Sequence, residues 1–203
     1  MPPSLPAAPA FGAPVEIAPH PQVLDFLATR RSASAVALSE PAPNAGELAD
    51  LLRLAARVPD HGKLAPWRFV ILEGPDKAVF AARLEALAQS RGDARASAKL
   101  GKLKVPPLGV AVISRVVAGE IPEWEQLLSA GAVCTTLLYA TQAMGYGANW
   151  ITDWYSYDAE ARALLGLAPD ERVAGFIFMG TVKDAPLERE RPDPTALTRH
   201  WRP

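Results

Sequence analysis

One cysteine, Cys134, is all the thiol chemistry the chain offers, so no internal disulfide can form and neither a zinc cluster nor a dithiol redox pair can be built. Its neighbours Ala132, Val133, Leu137 and Leu138 make an apolar stretch where a small buried thiol fits. Histidine is scarce too, and His20, His61 and His200 lack metal-ligand spacing, so no metal site is expected. No excess of either charge exists: 21 basic and 22 acidic residues leave a formal charge of −1, which excludes the electrostatic footprint of a general nucleic-acid binder. No run approaches the roughly 20 apolar residues of a membrane span. The Pro/Ala-rich start from Pro2 to Pro21 has no basic segment leading into an apolar one, so it does not read as a secretory signal. A soluble, cytoplasmic protein without nucleic-acid or membrane partners is expected.

Apolar residues, by contrast, are plentiful. At 49% of 203 residues they suffice for one sizeable core but not for two comfortable domains. The expected organisation is a flexible extension over 1–20 and a single domain over 21–203. Val23, Leu24, Phe26 and Leu27 fall at helical spacing and end in Arg30, Arg31 and Ser32. Asn44 with Glu47 has the form of a capping box ahead of Leu48, Leu51, Leu52 and Ala55. Apolar runs at 69–72, 108–113, 149–151 and 173–179 read as strands, the last closed by Gly180. Further helices are expected around Val79 to Leu87, from Pro122 to Gly145, and from Asp158 to Leu165. The basic, small-residue stretch from Arg91 to Lys104 reads as mobile and exposed, and the tail from Pro186 as irregular. Mixed helices and short strands without a repeat make the class α+β or α/β.

Two segments concentrate groups that could bind a ligand. Arg30, Arg31, Ser32 and Ser34 combine guanidinium forks and hydroxyls suited to a phosphate monoester. A solvated helix end, where cations complement the macrodipole, is the plain alternative. The loop from Val58 through Pro59, Asp60, His61, Gly62, Lys63 and Pro66 to Trp67 enters a strand, and His61 and Lys63 could donate to an electron-rich ring or be ordinary surface residues. Gly145, Tyr146 and Gly147 hold two glycines of a dinucleotide fingerprint but follow a helix and lack the third, so they read as a helix stop.

Together, the Arg-Arg-Ser turn and the Pro-x-x-x-x-x-x-Pro-Trp loop resemble the nitroreductase family. The likeness continues through Pro122 to Gln126, Ser129 to Gly131, Gly145 to Gly147, Val173 to Thr181 and Pro192 to Pro194. Within the family it looks nearest the compact branch whose loop reads Pro-Asp-His. The resemblance implies an α+β fold, with a mostly antiparallel sheet flanked by helices, and a homodimer with FMN at the subunit interface. It implies a phosphate contact for Arg30 and Ser32, with Arg31 and Ser34 beside them, and flavin contacts for Arg57, His61 and Lys63. Trp150, Ile151 and Thr152 match the segment along the isoalloxazine, and Gly180 the turn beside it. The commoner family loop has two serines where Asp60 and His61 stand, and Ile151 stands where near relatives carry arginine. Arg189 and Arg191 occupy the region where many members place a basic phosphate contact; an exposed tail is the equal alternative. The activity implied is hydride transfer from transiently bound NADH or NADPH to a small organic acceptor, nitro or quinone, with no catalytic side chain required. An FMN-storing or FMN-sensing protein is the alternative.

Overall fold

The computed structural model describes residues 5–203. From residue 6 to residue 20 every side chain is exposed and no helix or strand forms. The chain then builds α1 (Pro21–Thr29), a two-residue strand β1 (Leu38–Ser39), α2 (Ala45–Ala55), β2 (Trp67–Glu73) and α3 (Gly74–Ser90). Two short helices, α4 (Ala94–Lys99) and α5 (Gly101–Lys104), precede β3 (Leu108–Ser114), the long α6 (Glu123–Ala143) and β4 (Gly147–Ile151). Finally come α7 (Trp154–Tyr157), α8 (Ala159–Leu164) and β5 (Arg172–Val182).

All strand pairings are antiparallel, and β5 is the hub, paired with β3, β4 and β1, while β2 extends the sheet beyond β3. The class is therefore α+β. Strand alternation divides the core into two layers, because successive side chains leave opposite faces of the sheet. Val110, Val112, Ile177 and Met179 pack with Leu48 and Leu51 of α2 and with Val133, Cys134 and Leu137 of α6. Ala111, Ile113, Phe176 and Phe178 pack with Leu84 of α3, Leu103 of α5 and Tyr155 of α7. A fully buried Leu or Phe contributes about 1.5–3 kcal/mol relative to exposure, so these layers set the position of every loop around them.

The capping box of α2 forms as its sequence indicates: the Asn44 side chain accepts from the Gly46 and Glu47 amides, and Glu47 accepts from the Asn44 amide at 2.8 Å. The expectation for Arg91 to Lys104 is overturned. Asp93 caps α4 by accepting from Ala96 N at 2.8 Å, and Ala96, Leu100 and Leu103 are buried. The cations that made the segment look solvated reach distant carboxylates, Lys104 to Glu85 at 2.7 Å, and Lys99 and Lys102 to Asp153 at 3.5 and 3.1 Å. Gly180 is also corrected. It is not a turn but a buried position inside β5, where a Cβ would sit 2.7 Å from Ser39 O and 3.0 Å from Pro107. Among the described residues no helix is long and apolar enough to cross a membrane.

Candidate functional site

Between the end of α1, the middle of α6 and the edge strand β4 lies a cleft of about 720 Å³, within the range of cofactor pockets. Its walls carry Arg30, Arg31, Ser32 and Ser34 on one side, Thr135, Leu138 and Tyr139 of α6 below, Asn149 and Trp150 of β4 opposite, and Arg189 and Arg191 of the tail above. Arg30 ends α1 in extended backbone, its N–H still bonded to Phe26 O at 2.8 Å, so the chain leaves the helix here and turns its next residues into the cleft.

The Arg30 guanidinium is held on three sides. Its Nε donates to Gln142 Oε1 at 3.0 Å, one terminal nitrogen donates to Ser32 Oγ at 3.0 Å, and its carbon lies 4.9 Å from the centre of the Tyr139 ring. Gln142 also donates to Arg31 O at 2.9 Å, so one α6 side chain fixes both arginines. Arg31 points differently: its Nε donates to Leu187 O at 2.9 Å and lies 4.0 Å from Glu188, which also pairs with Arg191 at 2.9 Å. Among the described residues neither Arg30 nor Arg189 takes part in an ion pair. The cleft therefore holds cationic capacity that no carboxylate among the described residues neutralises, and the Arg30 side chain is hydrogen-bonded across it rather than free at the helix end.

The rest of the predicted residues divide. Trp150 lines the cleft, its indole laid over Gly175, where a Cβ would come within 2.0 Å of Nε1. Ile151 packs on the core layer beneath α3, and exposed Thr152 accepts a hydrogen bond from the Tyr157 hydroxyl at 2.8 Å. Arg57, His61 and Lys63 lie elsewhere, near the start of α6, and all three are exposed. There the Ser129 hydroxyl donates to Pro59 O at 2.8 Å and accepts from Trp67 Nε1 at 3.2 Å, while His61 Nδ1 meets Glu125 at 2.7 Å. Gly62, Lys63 and Ala65 all have left-handed backbone, with φ of 73°, 57° and 44°. For the two non-glycine residues that conformation is costly. The Asp60 carboxylate offsets it by accepting from the Leu64 and Ala65 amides at 3.2 and 2.8 Å. Cys134 contributes no nucleophile, because burial pushes its thiol up to about 12.

Sequence reasoning missed Thr135, Leu138, Tyr139 and Gln142. Their spacing of three, four and seven puts them on one helix face, but nothing local says that this face meets Arg30.

Comparison with known proteins fits this geometry. A profile of the Nitroreductase family matches residues 27–181. The Escherichia coli (strain K12) protein named "Putative NAD(P)H nitroreductase YdjA" is 33% identical over 185 residues, covering 88% of this chain and 98% of that one. Among solved structures, a nitroreductase-like family protein from Bacillus cereus superposes with a TM-score of 0.80 at 18% identity, over 91% of this chain and 98% of the other. A Bacteroides fragilis nitroreductase with bound FMN gives a TM-score of 0.67 at 20% identity, over 88% and 98%. With the profile spanning most of the chain and YdjA matched almost end to end, the protein belongs to the nitroreductase family.

Proposed function

We propose that residues 21–203 form a single FMN-dependent oxidoreductase domain, working in the cytoplasm, that takes hydride from NADH or NADPH and passes it to a nitro, quinone or related organic acceptor in a ping-pong cycle. The observation that carries this reading is the arginine-walled cleft built around the preorganised Arg30 guanidinium. FMN fits the residues present. Its phosphate matches the Arg30 fork, Ser32 and the tail arginines, its polyol matches the polar β4 edge, and its ring matches the partly exposed Trp150. When bound, the flavin supplies the hydride chemistry. The chain's own task is to hold the phosphate and to flank the ring through Trp150, the one member of the Trp150–Thr152 segment that lines the cleft.

The separation of the two predicted residue sets supports a homodimer. From Glu125, which holds His61, to Leu138, which lines the cleft, α6 rises about 20 Å. A second copy whose loop crosses the first copy's cleft would bring Arg57, His61 and Lys63 onto the same flavin. Apolar surface is available for such contact, since Trp124 and Leu128 of α6 are 66% and 55% exposed and α1 buries none of its side chains.

The purified protein is expected to be yellow and to release one FMN per subunit on chromatography. NADH or NADPH should bleach its visible absorbance under anaerobic conditions. Recovery of FAD, or of no flavin after supplementation with FMN, would overturn the reading, whereas bound FMN that neither nucleotide bleaches would favour storage or sensing. Light scattering should give a dimer mass, and a monodisperse monomer that keeps its flavin would rule out the shared site.

A further inference from the structure

Among the described residues three buried side-chain polar atoms have no hydrogen-bond partner: Asn149 Oδ1, Tyr155 OH and Arg162 Nε. Only the first belongs to a residue that lines the cleft. Buried acceptors are rarely left unpaired, because they have given up water without replacement.

The orientation of this amide is fixed by chemistry. Asn149 Nδ2 donates to Ala33 O, and Ala33 N in turn donates to Ala148 O at 3.1 Å, so β4 is stitched to the segment that carries Ser32 and Ser34. A carbonyl oxygen can only accept, so the nitrogen end of the amide must face Ala33. The oxygen end is left as an acceptor. Its surroundings are rich in donors, yet among the described residues no protein donor lies within hydrogen-bond reach of it. A phosphate dianion carries no hydrogen to offer it. What the position calls for is a hydroxyl or N–H on a ligand whose anionic end sits among the arginines.

Within FMN the hydroxyl-bearing ribityl chain lies between phosphate and ring. Asn149 has the same intermediate place, tied through Ala33 to the Arg30–Ser34 segment on one side and followed directly by Trp150 on the other. We infer that Asn149 is a flavin-binding residue whose Oδ1 accepts a hydrogen bond from a ribityl hydroxyl. The assignment rests on the flavin reading above.

Three flavins separate the possibilities: FMN, riboflavin, which lacks the phosphate, and lumiflavin, which lacks the whole polyol. Affinities of the full-length apoprotein and of Asn149→Ala are measured by fluorescence titration. The variant should bind FMN and riboflavin less tightly by a common factor of about three to ten, with lumiflavin affinity unchanged. Arg30→Ala should differ, losing FMN affinity while sparing riboflavin. An equal loss of all three flavins in Asn149→Ala would mark a purely structural role and overturn the assignment, as would the loss of none. If the wild-type protein binds none of the three, the flavin reading itself fails and the assignment falls with it. If the wild type binds all three and only the Asn149 pattern is absent, the flavin reading stands and this residue's role does not.

Discussion

Arg30→Ala is expected to lower FMN affinity about tenfold to a hundredfold, since hydrogen bonds to charged groups are worth roughly 1.5–3 kcal/mol. A guanidinium can engage two phosphate oxygens at once, and here it is preorganised by Gln142, Ser32 and the Tyr139 ring, so little ordering remains for the ligand to impose. Arg30→Lys should recover part of the loss as a point charge but not the fork. Arg31→Ala should weaken binding less, because that side chain is already engaged with Leu187 O. Circular dichroism should show the fold intact in all three variants. The measurement is the dissociation constant of FMN from apoprotein. If Arg31→Ala is the damaging change and Arg30→Ala is silent, the two have exchanged roles. If neither matters, the phosphate is held by Arg189 and Arg191.

The arginine-lined side of the cleft was legible in the sequence because its residues are adjacent: Arg30, Arg31, Ser32 and Ser34 follow one another at the end of α1. The same holds for α2, whose capping box spans only Asn44 to Glu47. The opposite wall was illegible for the converse reason. Gln142 meets Arg30 across 112 positions, and Asn149 reaches Ala33 across 116. Residues 91–104 were misread by a related route, since the partners of Lys99, Lys102 and Lys104 lie at Asp153 and Glu85 and no local pattern announces them. Periodicity also gave no hint that Gly180 is set by close approach to Ser39 and Pro107 inside a strand. The family resemblance grouped Trp150 with the Arg-Arg-Ser turn, and both line one cleft. It also grouped Arg57, His61 and Lys63 with them, which one chain alone does not do.

The second large effect concerns the frame that carries the site. Arg68 of β2 forms a two-pronged pair with Glu171, just ahead of β5, its Nε and one terminal nitrogen each 2.6 Å from a carboxylate oxygen. The pair spans the end of β3, because both strands register against it there, Arg68 opposite Ile113 and Arg172 opposite Ser114. Glu171 also accepts from Ala168 N at 3.0 Å. The Arg68 guanidinium, helped by that amide and opposed by burial, brings the Glu171 carboxyl down to about 2. Removing one partner of a buried pair costs about 3–5 kcal/mol. The Glu171 side chain is only 11% exposed but Arg68 is 32% exposed, so water can recover part of the guanidinium's loss. Glu171→Ala is accordingly expected to destabilise the fold by about 2–3 kcal/mol at pH 7, a fall in Tm of roughly 4–12 °C for a chain of this size. The pH dependence has a definite sign. A carboxyl whose folded pKa lies below its unfolded value of about 4.5 stabilises the fold fully above that value and loses its contribution as pH falls towards 2. Denaturant unfolding of the wild type and Glu171→Gln should therefore differ most near neutrality, converge below about pH 4.5 and meet near pH 2. A gap of constant size across that range would mean that Glu171 acts through its shape and packing, and that the ion pair with Arg68 contributes nothing.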